Sequence, residues 1–315
     1  MTLEVVEPGP LTTVQAPGGR PGWQRFGVPV GGAADPWSAR LANRLVGNAD
    51  DAPLLEATLV GPTLRFDSAT LVAIAGAAWR ATLDGLPFPA NHARPVRAGA
   101  TLRVGTGAGA RAYVAVAGLV VQSVLGSPST DLRTGFGGQD GRALRAGDRL
   151  QIAAQPGHPM RWLGRPAASG PIRIVPGPHA SWFAPDALTG TAWRVGEAAD
   201  RAGVRLEGEH VRPGRDTEIA SIGLPLGAIQ VPPDGRPIVM LADRPVTGGY
   251  PVPACVIRAD AGRVAQLRSG DELRLASVSM EEAIEALRQA EADLEDLELF
   301  SLTSDDELGW IGSHG

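Results

Sequence analysis

The chain of 315 residues carries 29 basic and 34 acidic side chains, a formal charge of −5, and is 43% hydrophobic. That hydrophobic share excludes global disorder, and the lack of a basic surplus argues against nucleic-acid binding, which needs cations to neutralise phosphates. Every one of the 29 basic residues is arginine, which excludes a lysine Schiff base, a lysine nucleophile and the lysine of a phosphate-binding P-loop.

The 41 glycines and 27 prolines favour short strands and tight turns over long helices. Residues 1–34 are rich in both and hold short extended pieces such as Leu11–Gln15. Asp35 then reads as a helix N-cap and Pro36 as the first helical residue. Trp37, Leu41 and Leu45 follow on one face, and Gly47 ends the helix in the left-handed region. Strand-like runs come next, at Pro53–Leu59, Thr63–Phe66, Thr70–Ala75, Trp79–Leu83, Thr101–Val104 and Ala112–Val116.

One phrase recurs: RAGATLRV at Arg97–Val104, RAGDRLQI at Arg145–Ile152 and RSGDELRL at Arg268–Leu275. Each is a glycine turn entering an alternating, half-buried strand. The last two close similar stretches of chain, so two β-rich units are expected. The first covers 1–155, a linker 156–170, the second 171–300, and a loose tail 301–315. A C-terminal helix is predicted from the capping box Ser279/Glu282 and the stripe Met280, Ala283, Ile284, Leu287, Ala290, Leu294 and Leu297. The fold class read from this order is mainly β (α+β), with an early short helix and a C-terminal helix.

The N-terminus MTLEVVEPGP lacks the basic and apolar regions of a signal peptide, and no apolar run reaches membrane-spanning length, so a cytoplasmic protein is expected. The single cysteine, Cys255, lies in a strand-like context that suits a packed, inert thiol.

Standard catalytic and metal signatures are missing. Gly105-Thr-Gly107-Ala-Gly109 lacks the strand–turn–helix setting of a dinucleotide site and reads as a hairpin turn. The five histidines, His92, His158, His179, His210 and His314, have no zinc-ligand spacing, and no metal site is expected. What remains is two groups of polar residues in glycine-rich turns. The first is Gln15, Arg20, Gln24, Arg25 and Asp35. The second is Asp243 with Thr247-Gly248-Gly249-Tyr250-Pro251. Glycine-rich backbone brings amides close to a ligand, and ordinary hairpin turns are the competing reading of both groups. Glu56, inside an apolar strand, is either edge-exposed or buried; if buried it is either paired with an arginine or an acid or base of raised pKa. Tyr113 alternates with small apolar residues and reads as core.

Thr13–Asn48, TVQAPGGRPGWQRFGVPVGGAADPWSARLANRLVGN, closely resembles the opening of the biotin-dependent carboxyltransferase-like family, also called allophanate hydrolase subunit 2, whose members include KipA and the C subunit of 5-oxoprolinase. Further similar segments follow in order: Leu55–Phe66, Arg111–Leu119, Val124–Leu150, RIVPGPH at Arg173–His179, DRAGVRLEG at Asp200–Gly208, Gly227–Asp243 and TGGYPVPACVI at Thr247–Ile257. The resemblance spans roughly residues 3–290. Pro245 and Val246 stand where the family has Gln and Thr, which removes an amide and a hydroxyl beside the glycine loop, and Pro128 stands where Arg or Cys is expected.

The resemblance implies β-barrel-rich units with a cyclophilin-like fold. It also implies a subunit of an ATP-dependent 5-oxoprolinase that opens 5-oxo-L-proline to L-glutamate. The implied partners are the KipI-like B subunit and the LamB/YcsF-like A subunit of that enzyme, with ATP and magnesium at the level of the complex. Two alternatives accompany it: the carboxyltransferase component of a biotin-dependent urea or amide carboxylase, and a non-catalytic module antagonising a KipI-like kinase inhibitor. A chain without lysine cannot itself carry biotin. The candidate site residues are Asp243, Tyr250 and Asp35 for catalysis, and Gln15, Arg20, Gln24, Gln230, Thr247, Gly248 and Gly249 for substrate binding.

Overall fold

A computed structural model describes residues 1–77, 79–155, 160–162, 169–214, 219–297 and 299–301. The chain divides into two compact units. The first holds Met1–Pro17 and Trp37–Pro166 with a C-terminal piece that carries the strand Leu299–Ser301. The second holds Gly18–Pro36 and Ala167–Glu295. The expected boundaries at 155 and 171 therefore leave out an excursion, because residues 18–36 belong with the second unit. Most of the expected linker, and 302–315 of the expected loose tail, lie outside the described residues. Within them, Met160–Trp162 is a strand paired with Leu299–Ser301, not an unpaired connection.

The first unit is built on a five-stranded antiparallel sheet in the order Leu11–Gln15, Leu54–Thr58, Arg111–Val116, Thr70–Gly76, Ala93–Val96, together with a seven-stranded sheet. Val14, Leu55, Val114 and Ile74 stand in register across four strands and belong to one buried cluster with Leu3, Val5, Leu64, Phe66 and Leu102. Because strand side chains alternate faces, the next row, Thr13, Glu56 and Tyr113, points to the opposite side of that sheet. Helix α1 (Pro36–Leu45) buries Leu41 and Leu45. Gly47 follows it at φ +74°, the left-handed ending its position suggested.

The second unit is a closed barrel of seven strands: Ile172–Pro176, Ala254–Val256, Ala228–Gln230, Ile238–Met240, Gly203–Glu207, Ala192–Ala199 and Glu272–Ser277, the last pairing parallel with the first. Closure removes unpaired sheet edges. Trp193, Val195, Leu206, Ile229, Val239 and Val256 fill the core, and the Trp193 indole N–H is satisfied by the Leu188 carbonyl at 2.8 Å. Two helices accompany the barrel, α2 (Arg258–Ala265) before its last strand and α3 (Met280–Glu295) after it. The capping box at the start of α3 is reciprocal: the Ser279 amide donates to Glu282 at 2.7 Å and the Glu282 amide to Ser279 Oγ at 3.1 Å. Among the described residues, no helix is long and apolar enough to cross a membrane.

The recurring phrase is one structure used three times. Gly99, Gly147 and Gly270 have φ of +83°, +88° and +88°, and each donates its amide to a strand carbonyl, of Phe66, Val5 and Val195 respectively. In the second and third copies an aspartate, Asp148 or Asp271, accepts the amide of the leading arginine at 2.7 and 2.8 Å.

Candidate functional site

The second unit gathers most of the polar candidates. Residues 18–36 form an excursion closed by the Arg20 amide on the Val30 carbonyl at 2.8 Å. Gly31, at φ +61°, lies at its base: a methyl group there would stand 3.6 Å from Asp243 Oδ1 and 3.7 Å from Arg20 Nη1. Asp243 and Arg20, distant in sequence, thus border one glycine. Asp243 is held by Arg201 through two bonds, Nε to Oδ2 at 2.8 Å and Nη2 to Oδ1 at 3.0 Å, and Arg201 Nη2 also donates to the Gly32 carbonyl at 2.6 Å. Arg20 is only 1% exposed and Arg201 is buried. Planar guanidiniums with several N–H donors, fixed in place by burial, suit recognition of a carboxylate or phosphate.

The run Thr247–Tyr250 lies beside Gln230. Gln230 is buried at the end of its barrel strand and donates to the Tyr250 carbonyl at 3.3 Å. Its amide lies close to Gly248, where a Cβ would fall 2.5 Å from Gln230 Nε2, so a larger residue there would have to push the Gln230 side chain aside. Thr247 and Gly248 pair with Gly223 and Ile222, and the Gly249 carbonyl accepts the Ile219 amide at 3.2 Å. The loop is therefore ordered by backbone bonds, and Tyr250 stands 40% exposed at its end. At its base, burial lowers the pKa of Arg244, whose Nε donates to the Leu224 carbonyl at 2.8 Å. The Val246 carbonyl accepts the Leu224 amide. Cys255 is half-buried and its thiol is pushed up to about 11, chiefly by burial, so it stays protonated at neutral pH.

The remaining candidates do not join these. Asp35 is buried against α2, accepts from Gln266 Nε2 at 2.9 Å, and lies against Gly262. Gln24 is exposed at the tip of the excursion, where its side chain accepts the Gly22 amide at 2.8 Å. Beside it Arg25 covers the ring of Phe26, at 4.6 Å. Gln15 belongs to the first unit: its amide donates to Thr13 Oγ1 at 3.0 Å and to the Thr130 carbonyl at 3.2 Å. Ser127, Ser129 and Thr130 are all buried there, and Ser129 Oγ accepts the Ala16 amide at 2.9 Å. The first group read from the sequence is thus split among four environments.

Glu56 resolves to the paired alternative. It is 1% exposed, accepts the Tyr113 hydroxyl at 3.0 Å and lies 3.5 Å from Arg111, itself 4% exposed. Sequence reasoning did not assign roles to Arg201, Arg111 or His179, although all three fall inside the segments DRAGVRLEG, RAYVAVAGL and RIVPGPH. Among the described residues no group of three or more His, Cys, Asp or Glu side chains is close enough to hold a metal ion.

The model of the carboxyltransferase domain, subdomains A and B, matches residues 26–277. The chain belongs to this carboxyltransferase domain family. Within the family it is 38% identical over 308 residues to the C subunit of 5-oxoprolinase from Escherichia coli (strain K12), covering 94% of this chain and 97% of the relative. It is 36% identical to the C subunit of 5-oxoprolinase from Haemophilus influenzae, over 89% of this chain and 92% of the relative. It is also 34% identical to the urea amidolyase of Lachancea kluyveri, covering 96% of this chain but 18% of that protein. The crystal structure of the K. lactis urea amidolyase superposes with a TM-score of 0.89 at 31% identity, over 97% of this chain and 20% of that one. The crystal structure of TTHA0988 gives 0.81 at 42% identity, over 88% of this chain and 55% of that one.

Proposed function

We propose that this chain is the C subunit of an ATP-dependent 5-oxoprolinase that hydrolyses 5-oxo-L-proline to L-glutamate together with LamB/YcsF-like and KipI-like subunits. The observation that carries the reading is coverage: this chain and the C subunit of the E. coli 5-oxoprolinase match over almost the full length of both, 94% and 97%. The chemistry of the second unit agrees. The substrate is a carboxylate-bearing lactam, and Arg20 and Arg201 stand with Asp243 at the base of the glycine-rich excursion. A lactam is a poor electrophile, so ring opening needs its oxygen activated and its carboxylate held in place. ATP and magnesium enter this reading at the level of the complex as a whole. The assay is glutamate release from 5-oxoproline and ATP by the chain co-purified with its two partner subunits. Activity that needs all three supports the reading, and a folded three-subunit complex that makes no glutamate sinks it.

A second reading is the carboxyltransferase component of a biotin-dependent urea or amide carboxylase. The superposition on the urea amidolyase over 97% of the chain favours it. Because this chain lacks lysine, biotin would have to ride on another protein. Avidin abolishes activity under this reading and leaves it untouched under the first.

A further inference from the structure

The tip of the excursion is ordered yet stands clear of the rest of the chain. Residues 21–27 are all exposed, Trp23 by 36% and Phe26 by 61%. Their hydrogen bonds stay within the tip: the Phe26 amide donates to the Trp23 carbonyl at 2.9 Å, the Gly27 amide to the Gln24 carbonyl at 2.9 Å, and the Gly22 amide to Gln24 Oε1 at 2.8 Å. The Trp23 and Phe26 rings lie 5.8 Å apart with planes at 41°, and the Arg25 guanidinium covers the Phe26 ring at 4.6 Å. A methyl group built on Gly22 or Gly27 would meet nothing within 4 Å. Below the tip the neck is closed by the Arg20 amide on the Val30 carbonyl and held by Arg201 on the Gly32 carbonyl. Two aromatic rings and a guanidinium thus form one fixed, solvent-facing cluster on an anchored loop.

Trp and Arg are the side chains that most often dominate a protein–protein interface, and a cluster already held in one conformation loses little freedom on docking. Charge indicates the surface it fits. Gly18–Ala34 carries two arginines and no acidic residue in a chain of net charge −5, so the tip is a basic point on an acidic protein and is complementary to carboxylates. The domain matched here makes up 20% of the K. lactis urea amidolyase chain and 55% of TTHA0988, so in both it stands beside further parts of the same chain. We propose that Trp23, Arg25 and Phe26 dock into another protein subunit of the same complex, in an apolar pocket with carboxylates at its rim. This inference rests on the reading of the chain as one subunit of a complex, and its test separates the docking from the reaction.

The full chain is titrated with its two partner subunits. Trp23→Ala and Phe26→Ala are each expected to raise the Kd of assembly about 30-fold or more with an unchanged Tm. Arg25→Glu should weaken assembly as well, and Arg25→Lys should weaken it less. Independently of any variant, hydrogen exchange at the amides of residues 22–27 should slow when the wild-type complex forms. Undiminished assembly in the Trp23→Ala/Phe26→Ala double variant, or unchanged exchange at the tip, overturns the proposal and leaves the oxoprolinase reading intact. A loss of glutamate release with assembly intact also overturns it, and marks the tip as a cover over the chain's own site. A wild-type complex that needs the tip to assemble but makes no glutamate upholds the docking and sinks the oxoprolinase reading, and a chain that assembles with neither subunit overturns both.

Discussion

Burying a carboxylate is costly unless its lone pairs are met, and Glu56 shows how the first unit meets them. The Tyr113 hydroxyl takes one oxygen and the Arg111 guanidinium faces the other. Tyr113→Phe is expected to lose about 1–2 kcal/mol of stability by urea denaturation. Glu56→Ala is expected to lose about 3–5 kcal/mol, because it removes the carboxylate that faces the buried Arg111 guanidinium. The carboxylates on the arginines set the acid limit of the protein. Burial raises the pKa of Asp260 more than any other single influence, yet the bonds from the Arg173 side chain and backbone and the charges of Arg263 and Arg173 together outweigh it and hold the group below 3.8. Asp148 is lowered chiefly by Arg142, and Asp50 chiefly by Arg44. A carboxylate whose pKa falls on folding stabilises the fold above its unfolded value and loses that contribution as pH drops through the folded value. Stability is therefore expected to be flat with respect to these three groups near neutrality and to fall below about pH 4, and Asp260→Asn should reduce that slope in an acid titration followed by circular dichroism.

At the scale of elements, α1 and α3 were legible because their signals are local, whereas α2 (Arg258–Ala265) was not expected. Pro36 and Gly47 bracket α1, and Ser279 with Glu282 caps α3, all within a few residues of what they control. The three glycine turns were legible for the same reason, since a residue at φ near +85° selects glycine wherever it falls in a fold. Contacts between distant elements were not. Gly262 in α2 is an instance: replacing a helix-interior glycine by alanine ordinarily stabilises by about 1 kcal/mol. Here the new methyl would stand 2.6 Å from Asp35 Oδ1, so Gly262→Ala is expected to lower Tm, and less so in an Asp35→Gly background, a coupling that a double-mutant cycle reads directly. Gly248→Ala should likewise displace Gln230 and lower Tm. The candidate site was legible to the extent that Arg20 and Asp243 do border one glycine. Gln24 and Gln15 carry the same residue chemistry but sit at an exposed tip and in the other unit, because nothing in a residue's type says which of two sheets its strand will join. Arg201 and His179 escaped because partners that hold them, Asp243 and Val252, lie 42 and 73 positions away.

For the whole molecule, the decisive feature is that the second unit is not contiguous in sequence. Its barrel comes from residues after 167, but Arg201 donates to the carbonyl of Gly32, and Gln266 of the segment after α2 donates to Asp35. A fragment of residues 167–295 alone is expected to unfold at lower urea concentration than the same fragment supplied with a peptide of residues 18–36, and equal midpoints would show that the excursion adds nothing to that unit. The bonds that hold the excursion link residues 169 and 231 positions apart.

On the ribosome those separations become waiting times. At roughly 5–20 residues per second, the excursion leaves the exit tunnel on the order of 10–50 s before its partner Gln266 is made. For that interval Trp23 and Phe26 travel with a nascent chain that has no barrel to receive the backbone behind them. The first unit, too, must fold around a gap in its own sequence. A chain laid out in this way has every reason to meet a chaperone early in its life, and its yield in a cell should respond to the rate of translation as much as to the stability of the finished fold.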